Sequence, residues 1–224
     1  APTSMARNNL IGEGKPEHKI FVTGNTAIDA LKVTIRPDYH HPTLDWASDS
    51  KLILLTAHRR ENLGEPMRGM FMGIKRVIQE HHDCKVIYPI HKNPIVRAVA
   101  NEVFSGIDQI RLIEPLDVID FHNFMSKAYF IMTDSGGIQE EAPSLGKPVL
   151  VMRDTTERPE GIEAHTLKLV GTSEEEVYTQ AVRLLSDKDE YEKMSKASNP
   201  YGDGFASQRI VGILEGKQIF CSKA

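Results

Sequence analysis

The chain has 224 residues, 40% of them hydrophobic and 26% charged, a composition typical of a globular protein with one large domain or two small ones. Its formal net charge of −4 argues against a general nucleic-acid binder, which presents a basic surface. The longest apolar runs are short, as at 52–55, so neither a membrane span nor a membrane partner is predicted.

Short β-rich runs alternate with helix-like segments along the chain. The predicted strands are 18–24, 51–57, 84–90, 110–116, 129–132 and 148–152. The predicted helices that follow them are 25–33, 66–80, 93–104, 117–128 and 136–146. The strand runs are continuously apolar rather than alternating, which is typical of a parallel sheet covered on both faces. Repeated βα units of this kind predict an α/β fold with a Rossmann-like, doubly wound parallel sheet.

The C-terminal part of the chain is more polar. Residues 172–198 are predicted to form a helix, with Thr172 or Ser173 as the N-cap over an acidic first turn. A loop and one last amphipathic helix are predicted in 199–216. The proline-containing segment 35–49 is predicted to be a loop.

Polar residues follow four of the predicted strands, at 58–62, 91–93, 133–137 and 153–160. In open α/β sheets, ligands bind beyond the carboxyl ends of the strands. We therefore expect these four segments to border one pocket.

The segment "TDSGGIQEE" combines two glycines with acidic residues. Gly136 and Gly137 would leave backbone N–H groups at a helix start open to an anion, and Ser135 could cap the helix or bind a phosphate oxygen. Glu141 lies four residues after Gly137, one turn deeper, where its carboxylate could accept two hydrogen bonds from a ribose. A tight strand–helix turn whose glycines serve only packing remains an alternative at this point.

The segment "HRREN" follows the strand at 51–57. His58 could transfer protons near neutral pH or neutralise a leaving phosphate, and Arg59 and Arg60 offer forked donors for phosphate or carboxylate groups. A solvated basic turn that leads into the next helix is the alternative. His91 follows another strand, where a helix-capping role competes with a ligand role.

Two arginines and two histidine pairs lie in other predicted loops. Arg153 and Arg158 could bind a second phosphate or a sugar, or could instead form ion pairs that brace a loop. The histidine pairs at 40–41 and 81–82 are expected at the surface.

No HExxH motif or closely spaced ligand set indicates a metal, and Cys84 and Cys221 cannot form a CxxC pair. We expect both cysteines to be reduced thiols in a cytoplasmic protein.

Several long motifs together resemble the bacterial non-hydrolysing UDP-N-acetylglucosamine 2-epimerases. The motifs occupy 21–31, 54–67, 88–97, 114–125, 133–160 and 199–214. The resemblance implies the C-terminal half of a two-domain fold shared with B-type glycosyltransferases, with the active site in the cleft between the halves. It divides the chain into 1–17, the end of the N-terminal domain and a linker helix, 18–198, a UDP-binding domain, and 199–224, a C-terminal helix and tail. A start without methionine fits an excised domain.

The resemblance also implies a reaction and a set of site residues. Family members interconvert UDP-GlcNAc and UDP-ManNAc by anti elimination of UDP to 2-acetamidoglucal and re-addition of UDP, without a cofactor or a metal. By residue-to-residue matching, His58 corresponds to the histidine near the diphosphate, Glu141 to the ribose carboxylate and Phe121 to a uracil-side contact. The remaining matches are Ser135, Gly136 and Gly137 as the diphosphate cradle, Arg158 in the cleft loop, and Arg59 and His91 at a second, activating UDP-GlcNAc.

The resemblance further implies that the chain alone binds UDP weakly and catalyses nothing, and that the full-length enzyme is a homodimer. A hydrolysing relative that releases ManNAc, a non-catalytic UDP-sugar-binding module and a glycosyltransferase of the same fold are the alternatives; "HRREN" and "TDSGGIQEEAP" match the epimerases better than the last. Two local departures are Gly161 and His165, where the family pattern predicts alanine and glycine.

Overall fold

The computed structural model describes residues 1–217. Its centre is one sheet of six parallel strands in the order β3-β2-β1-β4-β5-β6. The strands are β1 (Lys51–Thr56), β2 (Cys84–Pro89), β3 (Ile110–Ile113), β4 (Phe130–Thr133), β5 (Val149–Val151) and β6 (Leu167–Leu169). This order confirms the predicted Rossmann-like, doubly wound sheet. From β1 the chain adds β2 and β3 on one side, and it then crosses back to add β4, β5 and β6 on the other side of β1. The carboxyl ends of β1 and β4 therefore form the topological switch point, where ligands bind in such folds.

Helices cover both faces of the sheet. They are α1 (Ser4–Gly12), α2 (Thr26–Thr34), α3 (Pro42–Ala47), α4 (Glu65–Glu80), α5 (Pro94–Phe104), α6 (Val118–Lys127), α7 (Gly136–Glu141), α8 (Pro159–Glu163), α9 (Glu174–Ser186), α10 (Lys188–Ser195) and α11 (Ala206–Leu214). One core cluster joins α4, α5 and α9 to the sheet, with Phe71 fully buried in it. The other joins α2, α3, α6 and α7 to the opposite face, with Phe124 fully buried. Burial on both faces explains the continuously apolar strands.

The predicted first strand at 18–24 was wrong. Glu17–Lys19 form a single 3-10 turn, and the extended residues after it lie outside the sheet. They pair with the start of the chain instead, since the amino group of Ala1 donates to the carbonyl of Phe21 and the N–H of Thr23 donates to the carbonyl of Ala1. Phe21 is 45% exposed, so this apolar run lacks the two-sided burial of a central strand.

Several later elements differ from the prediction: the helix predicted at 136–146 is α7 followed by a 3-10 turn, and α8 was not foreseen. The three-residue strand β6 was not foreseen, because so short a run gives no clear periodicity. The predicted helix over 172–198 is divided into α9 and α10, because the Asp187 carboxylate caps α10 by accepting the N–H groups of Asp189 and Glu190. Ser173 caps α9, as one of the two expected candidates. The last helix is α11, and residues 218–224 of the predicted tail lie outside the described part.

The predicted loop at 35–49 contains the short helix α3. His41 caps it by accepting the N–H of Thr43 at Nδ1, and Pro42 is the first helical residue. The His41 ring also packs edge-on against Phe124, with centroids 4.9 Å apart, so His41 is not the surface residue that was expected. Within residues 1–217, no helix is both long and apolar enough to cross a lipid bilayer.

Candidate functional site

Asp134 organises the switch point. It follows β4 directly and is fully buried. Its Oδ2 accepts the backbone N–H groups of His58 and Arg59, each at 2.8 Å, and the side-chain amide of Asn62 at 3.3 Å. A buried carboxylate is stable only with such donors. The end of β4 is therefore fastened to the main chain of the loop after β1.

The second oxygen of Asp134 faces the imidazole of His58. Asp134 Oδ1 is buried without a hydrogen-bond partner and lies 3.9 Å from His58 Nδ1. The His58 side chain is 43% exposed, and its ring stacks on that of His91 with centroids 5.1 Å apart and planes 11° from parallel. The carboxylate can accept an Nδ1–H group after a small ring rotation, which leaves Nε2 for a ligand.

Tyr88 supports the same loop from the core. Its buried hydroxyl donates to the carbonyl of Ala57, the residue before His58. Burial, together with the nearby Asp134 carboxylate, raises the pKa of the Tyr88 hydroxyl well above its ordinary value, so the phenol keeps its proton and remains a donor. The backbone that carries His58 is thus anchored from both β2 and β4.

An ion-pair network joins the loops after β1 and β5. Arg59 donates through Nε to the carbonyl of Asp134 at 2.7 Å and binds the Glu157 carboxylate at 3.0 Å. Arg153 pairs with the same carboxylate, and Arg158 lies 3.8 Å from it. Partial burial opposes ionisation of Glu157, but a backbone N–H and the arginines together lower its pKa, so it is a carboxylate at neutral pH. Loop bracing by ion pairs, which sequence alone left open, is therefore present.

Arg158 makes its closest contact with Glu140. The Glu140 carboxylate is 7% exposed and binds Arg158 Nε and the Asn25 amide. Glu140 therefore points away from its neighbour Glu141, which is the last residue of α7.

The two glycines of α7 differ in their surroundings. A Cβ on Gly136 would lie 2.6 Å from Glu157 Oε1, so Gly136 allows the close approach of the Glu157 loop. A Cβ on Gly137 would meet no atom within 4 Å, so this glycine faces open space. Ser135, the N-cap residue, makes no side-chain capping bond, and its N–H is held by the Thr133 hydroxyl at 2.9 Å. The start of α7 therefore has an exposed glycine and a hydroxyl that does not cap the helix.

Phe121 and Glu141 lie on the neighbouring helices α6 and α7. Phe121 is half-buried against the second core cluster, and the Glu141 side chain is 20% exposed. His122, the residue after Phe121 on α6, points toward α7, with its Nε2 3.6 Å from Glu141 Oε2.

The structure brings together the expected residues of the strand-end loops. His58 and His91 stack, Arg59 shares Glu157 with Arg158, and Arg158 Nη2 would lie 3.7 Å from a Cβ on Gly136. Three contributors were missed: Asp134, His122 and Glu157. For Asp134 a signal existed, because an acid directly after a buried strand must find donors. For His122 there was none. No cluster of three or more metal-ligating side chains occurs among the residues that the structure describes.

The chain matches a protein-family model described as UDP-N-acetylglucosamine 2-epimerase over residues 1–215. It belongs to that family. The UDP-N-acetylglucosamine 2-epimerase of Bacillus subtilis is 64% identical over 214 residues, which cover 96% of this chain and 56% of the relative. A crystal structure from Listeria monocytogenes superposes with a TM-score of 0.93 at 56% identity, covering 97% of this chain and 60% of that one.

A further epimerase-family structure, from Neisseria meningitidis, was solved bound to UDP-GlcNAc. It is 43% identical, has a TM-score of 0.89, and covers 97% of this chain and 61% of its own. The chain thus spans about three-fifths of the length of such relatives. The chain also resembles sucrose-phosphate synthase from Thermosynechococcus elongatus, at 13% identity and a TM-score of 0.63, and this likeness concerns the fold alone. A shared fold with a glycosyltransferase was expected.

Proposed function

We propose that this chain is the nucleotide-binding half of a UDP-N-acetylglucosamine 2-epimerase and binds the UDP part of the substrate at the ends of β1 and β4. The observation that carries the proposal is the exposed Gly137 at the start of α7, next to Ser135, together with the neighbouring loop that Asp134 fixes with His58 at its start. Bare N–H groups, a hydroxyl and an imidazole at a switch point suit a diphosphate.

The proposed site has two parts. The diphosphate side consists of His58, Ser135, Gly136 and Gly137, with Arg158 at its border. The nucleoside side consists of Phe121, which contacts the uracil, and Glu141, whose carboxylate accepts the ribose hydroxyls. This division keeps the Glu141 charge away from the phosphates, one helical turn along α7.

The proposed reaction begins with removal of the proton at C2 of the sugar. The C1–O bond then breaks, UDP leaves with the bonding electrons, and 2-acetamidoglucal forms. Re-addition of UDP and protonation of C2 from the other face give UDP-ManNAc from UDP-GlcNAc. Within this chain, His58 and the glycine N–H groups stabilise the departing diphosphate, which carries the developing charge.

The other acid–base groups are proposed to lie in an N-terminal domain, with which this chain would form the cleft. We therefore propose that the 224-residue chain alone binds UDP weakly and does not epimerise UDP-GlcNAc. The same proposal includes the division of the chain into 1–17, 18–198 and 199–224, a homodimeric full-length enzyme and a cytoplasmic location.

Arg59 and His91 are proposed to contact a second UDP-GlcNAc that activates the enzyme. The stacking of the His91 ring on that of His58 supports this assignment, because a ligand bound at His91 would lie next to the proposed diphosphate side. A hydrolysing epimerase remains the alternative reaction, and it would use the same UDP-binding groups.

Calorimetric titration of UDP into the His58→Ala variant tests the proposal. We expect a loss of affinity of about tenfold, which corresponds to one hydrogen bond to a charged group. His82→Ala is the matched control, since His82 is exposed and precedes β2 at the opposite end of the sheet. Unchanged affinity in His58→Ala would contradict the assignment, and epimerisation by the purified wild-type chain would contradict its dependence on a second domain.

A further inference from the structure

A buried histidine connects the nucleoside side to helix α2. His122 lies on α6 beside Phe121 and is 4% exposed. Its Nδ1 is 2.8 Å from the hydroxyl of Thr34 at the end of α2, and its Nε2 is 3.6 Å from Oε2 of Glu141. The imidazole thus bridges α2 and α7 from α6.

The partners of the ring restrict its proton positions. The Thr34 hydroxyl has one hydrogen, and its oxygen lies 2.8 Å from Nδ1 and 3.0 Å from the carbonyl of Ala30. If Nε2 carries the hydrogen of the neutral ring, the Thr34 hydroxyl can donate to Nδ1; if Nδ1 carries it, the hydroxyl accepts from the ring and donates to Ala30. A carboxylate can only accept, so a contact that orients Glu141 requires the hydrogen on Nε2, which a small side-chain shift from 3.6 Å brings within hydrogen-bond distance.

The neighbour of His122 fixes the same stretch of α6. Asn123 is fully buried, its amide donates to the carbonyls of Thr34 and Ile119, and its oxygen accepts the N–H of Arg36. Every polar atom of this amide side chain therefore has a partner at the α2–α6 junction. The position of the imidazole is set by this junction, independently of any ligand.

We propose that His122 is a positioning residue for Glu141, and that ribose selectivity depends on it. Holding Oε2 with Nε2–H orients the carboxylate so that its remaining acceptor positions face the two ribose hydroxyls of a uridine nucleotide. With only 20% of the Glu141 side chain exposed, water cannot fully replace this donor. The inference rests on the proposed function, which assigns Glu141 to the ribose.

Two substitutions separate the two ring nitrogens. In His122→Gln, the amide nitrogen can reach the position of Nε2 and keep the donor to Glu141. In His122→Asn, the shorter side chain can keep a polar group near Nδ1 but cannot reach Glu141. The measurement is the ratio of the dissociation constants for 2′-deoxy-UDP and UDP, by calorimetry, with thermal unfolding as the check on folding.

We expect the wild-type chain and His122→Gln to prefer UDP by about tenfold, as for a hydrogen bond to a charged group, and His122→Asn to prefer it by about twofold or less. A purely structural role would weaken both nucleotides equally and leave the ratio unchanged. An unchanged ratio in His122→Asn overturns the inference but not the proposed function. A wild-type chain that binds neither nucleotide overturns both.

A second measurement applies if His122→Asn fails to fold. Long-range ¹H–¹⁵N spectra of the wild-type imidazole report which nitrogen is protonated. We expect Nε2 to carry the proton, and its resonance to move more with UDP than with 2′-deoxy-UDP. An Nδ1–H tautomer with a bare Nε2, or equal shifts with the two nucleotides, overturns the inference.

Discussion

The proposed diphosphate side and the proposed nucleoside side are held by different kinds of contact. On the diphosphate side, the buried Asp134 carboxylate binds backbone N–H groups, so main chain is fastened to main chain across the switch point. On the nucleoside side, a single side chain, that of His122, lies between Thr34 and Glu141 and contacts both. We therefore expect substitutions on the diphosphate side to reduce stability or UDP affinity. Substitutions on the nucleoside side should instead change which nucleotide is preferred.

The largest effect should come from breaking the main-chain link of the diphosphate side. Asp134→Ala removes the carboxylate that accepts the backbone N–H groups of His58 and Arg59. Leaving these buried donors unpaired should cost about 3 kcal/mol of unfolding free energy. Urea unfolding at pH 7 measures the loss. Asp154→Ala, at an exposed acid in the loop after β5, should change stability by less than about 0.5 kcal/mol. Equal stability of the two variants would refute the structural role of Asp134.

The next test separates binding from folding on the diphosphate side. Gly137→Ala adds a methyl group in open space, so the fold should tolerate it, yet the methyl fills the space assigned to the diphosphate. We expect UDP affinity to fall about tenfold with an unchanged melting temperature. Gly12→Ala at the end of α1 is the control, because a Cβ there also meets nothing within 4 Å. If both variants bind UDP like the wild type, the glycine cradle is wrong.

A third substitution should raise stability without affecting either side. His165 has φ of 60°, the only positive φ outside glycine among residues 1–217, and it follows α8 where the family pattern predicts glycine. The left-handed backbone costs a non-glycine residue about 1–2 kcal/mol, of which the greater chain entropy of glycine cancels part.

His165→Gly should therefore stabilise the chain by about 0.5 kcal/mol, and His165→Ala should not. Thermal unfolding compares the variants, and UDP titration should show no change in either. A destabilised His165→Gly would mean that the histidine side chain contributes more than its backbone costs.

The smallest effect concerns an ion pair at α11, the helix that packs against α2. Asp203 binds Arg209 of α11 at 2.6 and 2.7 Å, and the hydrogen bonds from Arg209 lower the Asp203 pKa to about 2. A depressed carboxyl pKa stabilises the fold above the unfolded value near 4, and the contribution is lost as the pH falls from about 4 to about 2. Since the Asp203 side chain is 49% exposed, we expect this ion pair to contribute only about 0.3 kcal/mol to the free energy of unfolding.

Asp203→Asn should thus be slightly less stable than the wild type at pH 7 and equally stable near pH 2. Thermal unfolding across this range measures the difference. A difference that stays constant with pH would show that the Asp203 charge does not contribute, while the ribose preference should stay unchanged throughout.

The sequence predicted the meeting of the strand-end residues better than the contact between α6 and α7, for a physical reason. Parallel strands end at a common edge, so the order of βα units placed His58, His91 and the glycines together without any knowledge of side-chain contacts. Asp134 lay within the same motif, but the number of main-chain donors it accepts depends on how closely β1 and β4 pair.

The His122 contact could not be predicted in this way. It requires the middle of α6 to lie beside the ends of α2 and α7, and helix position over a sheet is set by packing rather than by a local pattern. The same limit explains why the apolar run at 18–24 was mistaken for a strand: its composition is that of a strand, but the sheet has no place for it. Gly161 is similar, since only the fold shows that a Cβ there would lie 2.4 Å from Leu167 Cδ2 on β6.

The central claim is that one nucleotide spans both sides, with its diphosphate at the glycines and its ribose at Glu141. Calorimetric titration of UDP into the wild-type chain and the Glu141→Ala variant tests it most directly. We expect saturable binding to the wild type and an affinity at least about tenfold lower in the variant, because two ribose hydroxyls lose a charged acceptor. Equal affinities would contradict the claim.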